Sequence, residues 1–188
     1  MPDVASIPSL SHPWAPLAQQ RMFRGLMNAF AYPGRIESLG VAAPDALRFV
    51  LAALVDGETS LADPDALVAT DDWRRLQARR AVPEEAGFVV ARGDRAPAFE
   101  PVLGTLESPE RGATVILRVA RLGEGTAWRI AGPGVDGERR VRVTGLAPAW
   151  LAARSRWNAT FPMGVDWLLI DEARLVGLPR TTRIEGEA

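Results

Sequence analysis

Apolar residues recur along the chain in short runs that proline, glycine and charged residues interrupt, so helices and strands are predicted to alternate. The first periodic segment covers residues 17–31, and its apolar positions at spacings of three and four predict an amphipathic helix. The stripe that we expect this helix to bury consists of Phe23, Leu26, Met27 and Phe30. Pro33-Gly34 then ends the helix and turns the chain.

The same patterns predict the remaining elements. Helices are expected over 46–55 after Pro44-Asp45, from Asp63-Pro64-Asp65 onward, over 71–80 and over 149–159. Strands are expected over 35–39, 59–61, 87–91, 114–119, 126–131, 139–144, 165–170 and 175–178. The apolar run 114–119 is typical of a strand buried on both faces, whereas 139–144 alternates arginine with valine and has one solvent-facing side.

The order of these elements predicts the fold class. Helices alternate with strands in the first half and strands follow one another in the second, which favours a three-layer α/β/α domain with a mixed β-sheet. At 188 residues, the chain is expected to form a single domain over 17–188. An extended arm over 1–16 is expected to precede it, since four prolines disfavour regular structure there: Pro2, Pro8, Pro13 and Pro16.

Composition narrows the chemistry that the chain can perform by itself. It has no lysine and no cysteine, its only histidine is His12, and all 22 basic residues are arginine. A Schiff base needs a lysine amine and a thiol nucleophile needs a cysteine, while a zinc site needs cysteine or several histidines. Arginine binds anions but is a poor base. We therefore expect no metal site and a protein that positions charged substrates or partners.

Charge and hydropathy bear on partners and location. The net charge of −1 gives no reason to expect nucleic acid or an anionic membrane as a partner. No apolar run approaches the roughly 20 residues of a spanning helix, and the amino terminus does not resemble a signal peptide. A cytoplasmic location is expected. Four tryptophans fall outside the predicted central strands, which favours interface roles for them: Trp14, Trp73, Trp150 and Trp157.

Polar residues at strand ends supply the candidate site. Asp166 begins an otherwise apolar strand, so its carboxylate must be paired or lie near an opening. Arg180-Thr181-Thr182 follows the last predicted strand and offers a forked cation with two hydroxyls, which suits an anion. Two structural interpretations stay open, an Asp166–arginine pair and a cap for the sheet. Gly132-Pro133-Gly134 resembles a phosphate-binding loop, but strand follows strand there, which favours a simple turn.

Three blocks of sequence carry a family resemblance. They are residues 23–27 with 32–36, residues 112–117, and residues 161–166 with 178–182. On these blocks the chain resembles PhnH, the H subunit family of the bacterial carbon–phosphorus lyase system. The Gly132-Pro133-Gly134 turn falls where that family also has a glycine turn.

The resemblance implies a fold similar in topology to pyridoxal-phosphate-dependent transferases, without that cofactor, and no cofactor is expected here because lysine is absent. It also implies a homodimer when isolated and a core complex with G, I and J subunits. With an L subunit, that system replaces the adenine of ATP by an alkylphosphonate, giving ribose 1-phosphonate 5-triphosphate, which the J subunit later cleaves.

From the resemblance we expect an assisting subunit of a transferase, with no independent activity. The alternative is a purely structural scaffold subunit without substrate contact. Arginines could contact triphosphate or phosphonate oxygens bidentately. The candidate residues for substrate or partner binding are Arg24, Asp166, Arg180, Thr181 and Thr182. This hypothesis predicts that Arg180→Ala leaves the fold intact but weakens the activity or assembly of the complex.

Overall fold

The computed structural model describes residues 12–41 and 46–186. Its helices are Pro16–Ala31 (α1), Ala46–Leu54 (α2), Thr70–Leu76 (α3) and Ala149–Trp157 (α4). Its strands are Glu37–Ser38 (β1), Ser60–Ala62 (β2), Arg79–Arg80 (β3), Phe88–Arg92 (β4), Thr114–Arg118 (β5), Arg121–Ala131 (β6), Arg139–Thr144 (β7), Asp166–Ile170 (β8), Arg174–Leu178 (β9) and Arg183–Gly186 (β10). Most of the predicted arm over 1–16, and Pro44-Asp45, lie outside the described residues, so those expectations stay predictions.

The strands form two sheets. The larger has seven strands in the order β1-β9-β8-β5-β4-β2-β3, and the smaller has three in the order β10-β6-β7. Strands β3, β2, β4, β5 and β8 run parallel to one another, and β9 and β1 add antiparallel pairs at one side. The predicted mixed α/β architecture with a mixed sheet is confirmed, while the small antiparallel sheet forms separately.

Alternating side chains of the large sheet enter two cores. On one side, Ile116 and Leu168 pack with residues of α1 and α2. On the other side, Val115 and Trp167 pack with α4 and with the small sheet. Three central residues of β5 are fully buried, which confirms the prediction that this strand is covered on both faces. The alternation in β7 is confirmed too, because its valines are buried and its arginines face solvent.

Helix α1 forms as predicted, but its predicted buried stripe is only half right: Leu26 is buried and Phe30 packs against the core, whereas Phe23 and Met27 do not. The residues that face the core are Ala18, Met22, Leu26 and Ala29. Phe23 and Met27 are instead about half exposed, at 52% and 58%. The reason is a close approach: a Cβ added at Gly177 of β9 would collide with the backbone of Ala29. At this contact the small Ala29 faces the sheet, while Phe23 and Met27 face outward.

Three other predictions need correction. Asp63-Pro64-Asp65 does not begin a helix, because the Asp63 carboxylate accepts hydrogen bonds from the backbone N–H groups of Leu67 and Val68, both at 2.8 Å, and closes a turn. Helix α3 ends at Leu76 rather than near residue 80, since Gln77 adopts a left-handed conformation with φ of 56°. Strand β10 is absent from the predicted elements, because it is short and polar.

Two of the tryptophans assigned to interfaces belong to the core instead. Trp150 and Trp157 are buried on α4. They pack edge to face with ring centroids 6.1 Å apart, and Trp150 meets Trp167 in the same way at 6.1 Å. Phe99 completes the cluster with centroids 5.9 Å from Trp150. These large rings fill the space between α4 and the sheet, where aromatic pairs add to the energy of burial.

Candidate functional site

The register of the parallel strands defines two edges of the large sheet. Thr114 of β5 lies beside Asp166 of β8, and this row marks the edge where the parallel strands begin. Arg118 of β5 lies beside Arg92 of β4 and marks the edge where they end. Each edge carries a cavity lined by arginines, so the two edges are described in turn as the amino edge and the carboxyl edge.

At the amino edge, Asp166 and Arg180 form a hydrogen-bonded ion pair. The two guanidinium contacts are Arg180 Nη2 to Asp166 Oδ2 at 2.7 Å and Arg180 Nε to Asp166 Oδ1 at 3.3 Å. The backbone N–H of Arg180 also donates to Asp166 Oδ1 at 2.7 Å, and Arg180 Nη1 donates to the Pro109 carbonyl at 2.6 Å. Of the two structural interpretations of Asp166, the geometry therefore shows the ion pair with an arginine. Both oxygens of Asp166 accept hydrogen bonds from Arg180.

Close backbone approach surrounds this ion pair. A Cβ added at Gly112 would collide with the Gly164 carbonyl and with Nη1 of Arg180. The Asn158 side chain donates to the Val165 carbonyl at 3.2 Å and accepts from the Val165 N–H at 2.8 Å, holding the segment that contains Gly164. Two blocks that carry the family resemblance, residues 112–117 and residues 161–166 with 178–182, therefore meet here. Close packing explains why glycine occupies positions 112 and 164.

The other block meets the glycine turn in the same way. A Cβ added at Gly34 would collide with Ile130, and one added at Gly134 would collide with the Ala31 carbonyl. Arg139 Nη1 donates to the Pro33 carbonyl at 2.9 Å across this contact. The turn joins β6 to β7, as predicted, and its glycines serve close packing against the end of α1.

Beside the ion pair lies a cavity of about 340 Å³, named here the Arg154 pocket. It lies between α4 and the chain around β10, and its walls are Leu151, Arg154, Ser155, Asn158, Arg180, Thr182, Arg183, Ile184 and Glu185. Arg154 donates to the carbonyl oxygens of Thr182 at 2.9 Å, Leu178 at 3.2 Å and Pro179 at 2.6 Å. Its guanidinium carbon lies 5.3 Å from the centre of the Trp167 ring.

Arg154 is a buried cation without a contacting carboxylate among the described residues. Burial lowers the pKa of Arg154 to about 10, and the charge of Asp166 opposes that shift only in part. The guanidinium therefore stays protonated at neutral pH. Sequence reasoning missed Arg154, although a signal exists: it follows Trp150 by four residues on α4, at the spacing that shares a helix face.

At the carboxyl edge, a second cavity of about 340 Å³ is named the carboxyl-edge crevice. Its walls are Leu67, Arg92, Asp94, Arg118, Val119, Ala120, Gly145 and Glu172. Arg92 contacts Asp94 through Nε–Oδ1 at 2.9 Å and Nη2–Oδ2 at 2.6 Å. The hydrogen bond with Arg92 lowers the pKa of Asp94, and the same bond raises the pKa of Arg92. Arg92 and Arg118, the last residues of two buried strands, were not among the predicted site residues.

The structure brings together only part of the predicted site. Asp166 and Arg180 meet, and buried Thr182 lines the adjacent Arg154 pocket. Thr181 is exposed, and Arg24 is exposed on α1, where it makes no hydrogen bond or ion pair with another described residue. Ligand binding by these five residues stays a prediction.

Two other classes of site are absent from the described part of the chain. Within residues 12–41 and 46–186, no group of three or more metal-ligating side chains could hold a metal ion. In that same part of the chain, every helix is too short or too polar to cross a membrane.

Comparison with known proteins identifies the family. A sequence model described as "Bacterial phosphonate metabolism protein (PhnH)" matches residues 11–185. The chain is 48% identical over 171 residues to the "Putative C-P lyase subunit protein HtxG" of Stutzerimonas stutzeri, which covers 91% of this chain and 88% of that protein. It is 31% identical over 181 residues to the "Alpha-D-ribose 1-methylphosphonate 5-triphosphate synthase subunit PhnH" of Rhizobium meliloti (strain 1021), with 89% and 90% covered. The resemblance seen in the sequence blocks is thereby confirmed, and the chain belongs to the PhnH family of bacterial phosphonate metabolism proteins.

Proposed function

We propose that the chain is a subunit of a carbon–phosphorus lyase assembly and assists the transfer of an alkylphosphonate to ATP. In that reaction a phosphonate oxygen forms a bond to C1′ of the ribose while the bond from C1′ to adenine breaks. The products are adenine and a ribose 1-phosphonate 5-triphosphate. The observation that carries this proposal is the end-to-end similarity to a relative named as a subunit of such a synthase.

An assisting role, rather than independent catalysis, follows from the side chains available. The chain has no lysine or cysteine and a single histidine, His12, which is exposed. Arginine can bind and orient an anion but does not exchange protons near neutral pH. The proposal includes a homodimer for the isolated chain, assembly with G, I and J subunits, no cofactor, and a topology similar to pyridoxal-phosphate-dependent transferases.

The position of the arginines supports contact with an anionic ligand. Arg154, Arg180 and Arg183 line one concave cavity instead of lying on a flat apolar-rimmed surface. Concave sites with a few convergent polar groups are where small ligands bind. In this proposal the Asp166–Arg180 pair shapes the cavity wall, and the neighbouring groups face the ligand.

The alternative function, a scaffold subunit without substrate contact, has its own supporting observation. The outer side of α1 and the turn after it expose Phe23, Met27 and Tyr32, at 52%, 58% and 50%. Large apolar side chains on one exposed helix face are typical of a surface that a partner covers. Subunit contacts through α1 are compatible with either function, so substrate contact must be tested separately.

Co-expression of the tagged chain with G, I and J subunits, sized by native mass spectrometry, tests the assembly. A stoichiometric complex is expected, and adenine release from ATP and methylphosphonate, assayed with the L subunit, should require this chain. A chain that stays a lone dimer under these conditions, or adenine release that does not depend on it, contradicts the proposal.

Two variants then separate ligand contact from scaffolding. Arg180→Ala removes the ion pair with Asp166, so the intact fold expected from the sequence is corrected: we expect the free energy of unfolding to fall by about 2 to 4 kcal/mol and adenine release by the assembled complex to fall as well. Phe23→Ser/Met27→Ser changes only exposed positions and should leave the monomer fold intact. Loss of assembly in the α1 variant together with normal turnover in an assembled Arg180→Ala complex would establish the scaffold function instead.

A further inference from the structure

We propose that the Arg154 pocket binds a tetrahedral phospho-oxyanion, with Arg154, Arg183, Thr182 and Ser155 as its donors. The inference rests on the proposed function for the ligand class, a phosphonate or phosphate group. Unlike the proposed function, which requires the assembled complex, this site is formed by the isolated chain alone. The site extends the predicted Arg180-Thr181-Thr182 site to residues of α4.

The first observation is a pair of buried polar groups without partners at one cavity wall. Arg154 Nε and Thr182 Oγ1 are both buried and make no hydrogen bond with the protein. Arg154 and Thr182 are 5% and 2% exposed and line the same cavity. Buried polar groups are nearly always hydrogen-bonded, because an unpaired one loses its water without compensation. Two unpaired donors side by side indicate an acceptor that the chain does not supply.

The indole N–H groups of Trp150 and Trp167 are also unpaired, but neither residue lines the cavity. Both belong to the aromatic cluster, where the rings contribute by burial. Arg154 and Thr182 are therefore the two residues with unpaired buried groups that line the cavity.

The second observation is the charge of the cavity wall. Three arginines line it, Arg154, Arg180 and Arg183, against the single carboxylate of Glu185. Arg180 is neutralised by Asp166, and Glu185 Oε2 already accepts a hydrogen bond from Arg129 Nη2 at 3.0 Å.

Arg154 and Arg183 are left without an ion-pair partner in the described part of the chain. Two uncompensated cations at a concave site attract an anion.

The third observation is the kind of donor and the size of the space. The forked guanidinium of Arg183, the unpaired Nε of Arg154 and the adjacent hydroxyls match the several oxygens of a phosphoryl or phosphonyl group better than the two oxygens of a carboxylate. A cavity of about 340 Å³ lies at the small end of ligand pockets, which span about 300 to 1,000 Å³. It therefore suits a head group rather than a whole nucleotide.

The test measures binding of methylphosphonate to the full isolated chain. Binding is monitored by isothermal titration calorimetry and by the 31P resonance of the ligand. Thr182→Val keeps the shape of the side chain and removes the unpaired hydroxyl. We expect its melting temperature to equal or exceed that of the wild type, because no protein hydrogen bond is lost, and its Kd for methylphosphonate to rise about tenfold.

Arg183→Gln is the second variant, since Arg183 is exposed and its replacement should not affect folding. We expect its Kd to rise about tenfold or more. Arg142→Gln is the matched control. Arg142 is an exposed arginine on β7 that does not line the pocket, so its replacement removes the same charge outside the site. The control should bind methylphosphonate like the wild type, and acetate should not displace the ligand at equal concentration.

Comparison of methylphosphonate with tripolyphosphate separates the two sources of the head group. Tighter binding of the first indicates the phosphonate substrate, tighter binding of the second indicates a nucleotide triphosphate, and either result supports the site. Wild-type affinity in both Thr182→Val and Arg183→Gln overturns the proposal, and so does equal weakening by Arg142→Gln. A sharp fall in the melting temperature of Thr182→Val contradicts its premise, because it would mean that the hydroxyl has a protein partner.

Discussion

The two cavities lie at opposite ends of the same parallel strands and have the same volume, about 340 Å³, yet they differ in charge and burial. The carboxyl-edge crevice balances Arg92 and Arg118 against Asp94 and Glu172. In the Arg154 pocket, the buried guanidinium contacts only carbonyl oxygens and an aromatic ring. Similar residue types therefore give a balanced surface at one edge and an uncompensated cation at the other.

This difference bears on a general rule for open α/β sheets, which bind ligands outside the carboxyl ends of their strands. The crevice lies at such a position, because its wall includes Arg92 and Arg118, the last residues of the parallel strands β4 and β5. Its two arginines are nevertheless balanced by two carboxylates, and Arg92 Nη2 contacts Asp94 Oδ2 at 2.6 Å. Fold position alone would select the crevice, while unpaired charge selects the pocket at the amino edge.

The largest expected effect is a loss of stability on replacing the buried Arg154, compared with replacing the solvent-facing Arg92. Arg154→Met keeps an unbranched apolar stem but leaves the carbonyl oxygens of Leu178, Pro179 and Thr182 without their donor. We expect the free energy of unfolding, measured by urea denaturation, to fall by about 2 to 4 kcal/mol.

The control for this prediction is Arg92→Met, which removes a solvent-facing arginine at the other edge. It should unfold like the wild type, because exposed ion pairs contribute little to stability. Equal destabilisation by the two variants would remove the contrast in burial on which the comparison rests.

Much of this comparison was open to sequence reasoning, because the elements that build the edges have clear patterns. The apolar run of β5 and the alternation of arginine and valine in β7 predict both burial and position along the chain. Asp166 was identified from its place at the start of an apolar strand, and the structure pairs it with Arg180. Periodicity and strand ends are local patterns, so they can be recognised in a single sequence.

The remaining features depend on contacts between distant segments. The outward orientation of Phe23 follows from the close approach of Ala29 to Gly177, which no local pattern contains. The role of Arg154 depends on carbonyl groups at the end of β9 and just after it, more than 20 residues further along the chain. Strand β10 forms because β6 supplies hydrogen-bonding partners, so tertiary pairing overrides its weak local preference.

An intermediate effect concerns the acidic groups at the carboxyl edge. Burial would raise the pKa of Asp171, but hydrogen bonds from Arg174 and from the backbone N–H groups of Ala173, Leu122 and Arg174 outweigh it and lower that pKa. A carboxylate with a lowered folded pKa stabilises the fold above its unfolded pKa of about 3.9, and this contribution is lost as pH falls through the folded value.

We therefore expect Asp171→Asn to reduce the free energy of unfolding by about 1 to 2 kcal/mol at pH 7, less than for a deeply buried pair because Arg174 is partly solvated. The difference from the wild type should shrink as pH falls below about 4 and vanish below the folded pKa. Asp94→Asn is the control, since the pKa of Asp94 is lowered too but its side chain is exposed, and it should show no measurable change. A difference that persists at low pH would show that Asp171 acts through packing rather than charge.

The smallest expected effect decides between the two cavities. Arg118→Gln removes an exposed arginine of the carboxyl-edge crevice that makes no ion pair with another described residue. We expect the stability of the isolated chain to be unchanged and its Kd for methylphosphonate to stay within about twofold of the wild type, because Asp94 and Glu172 oppose anion binding there.

Comparison with Arg183→Gln, measured in the same buffer at several salt concentrations, distinguishes a specific site from general electrostatic attraction. A general attraction between a basic surface and an anion weakens with salt and responds to the loss of either arginine. A built site responds to Arg183 alone, because only that residue shares its cavity with the unpaired donors of Arg154 and Thr182. If Arg118→Gln weakens binding and Arg183→Gln does not, the chain follows the usual rule for open sheets, and the unpaired groups of the Arg154 pocket have only a structural role.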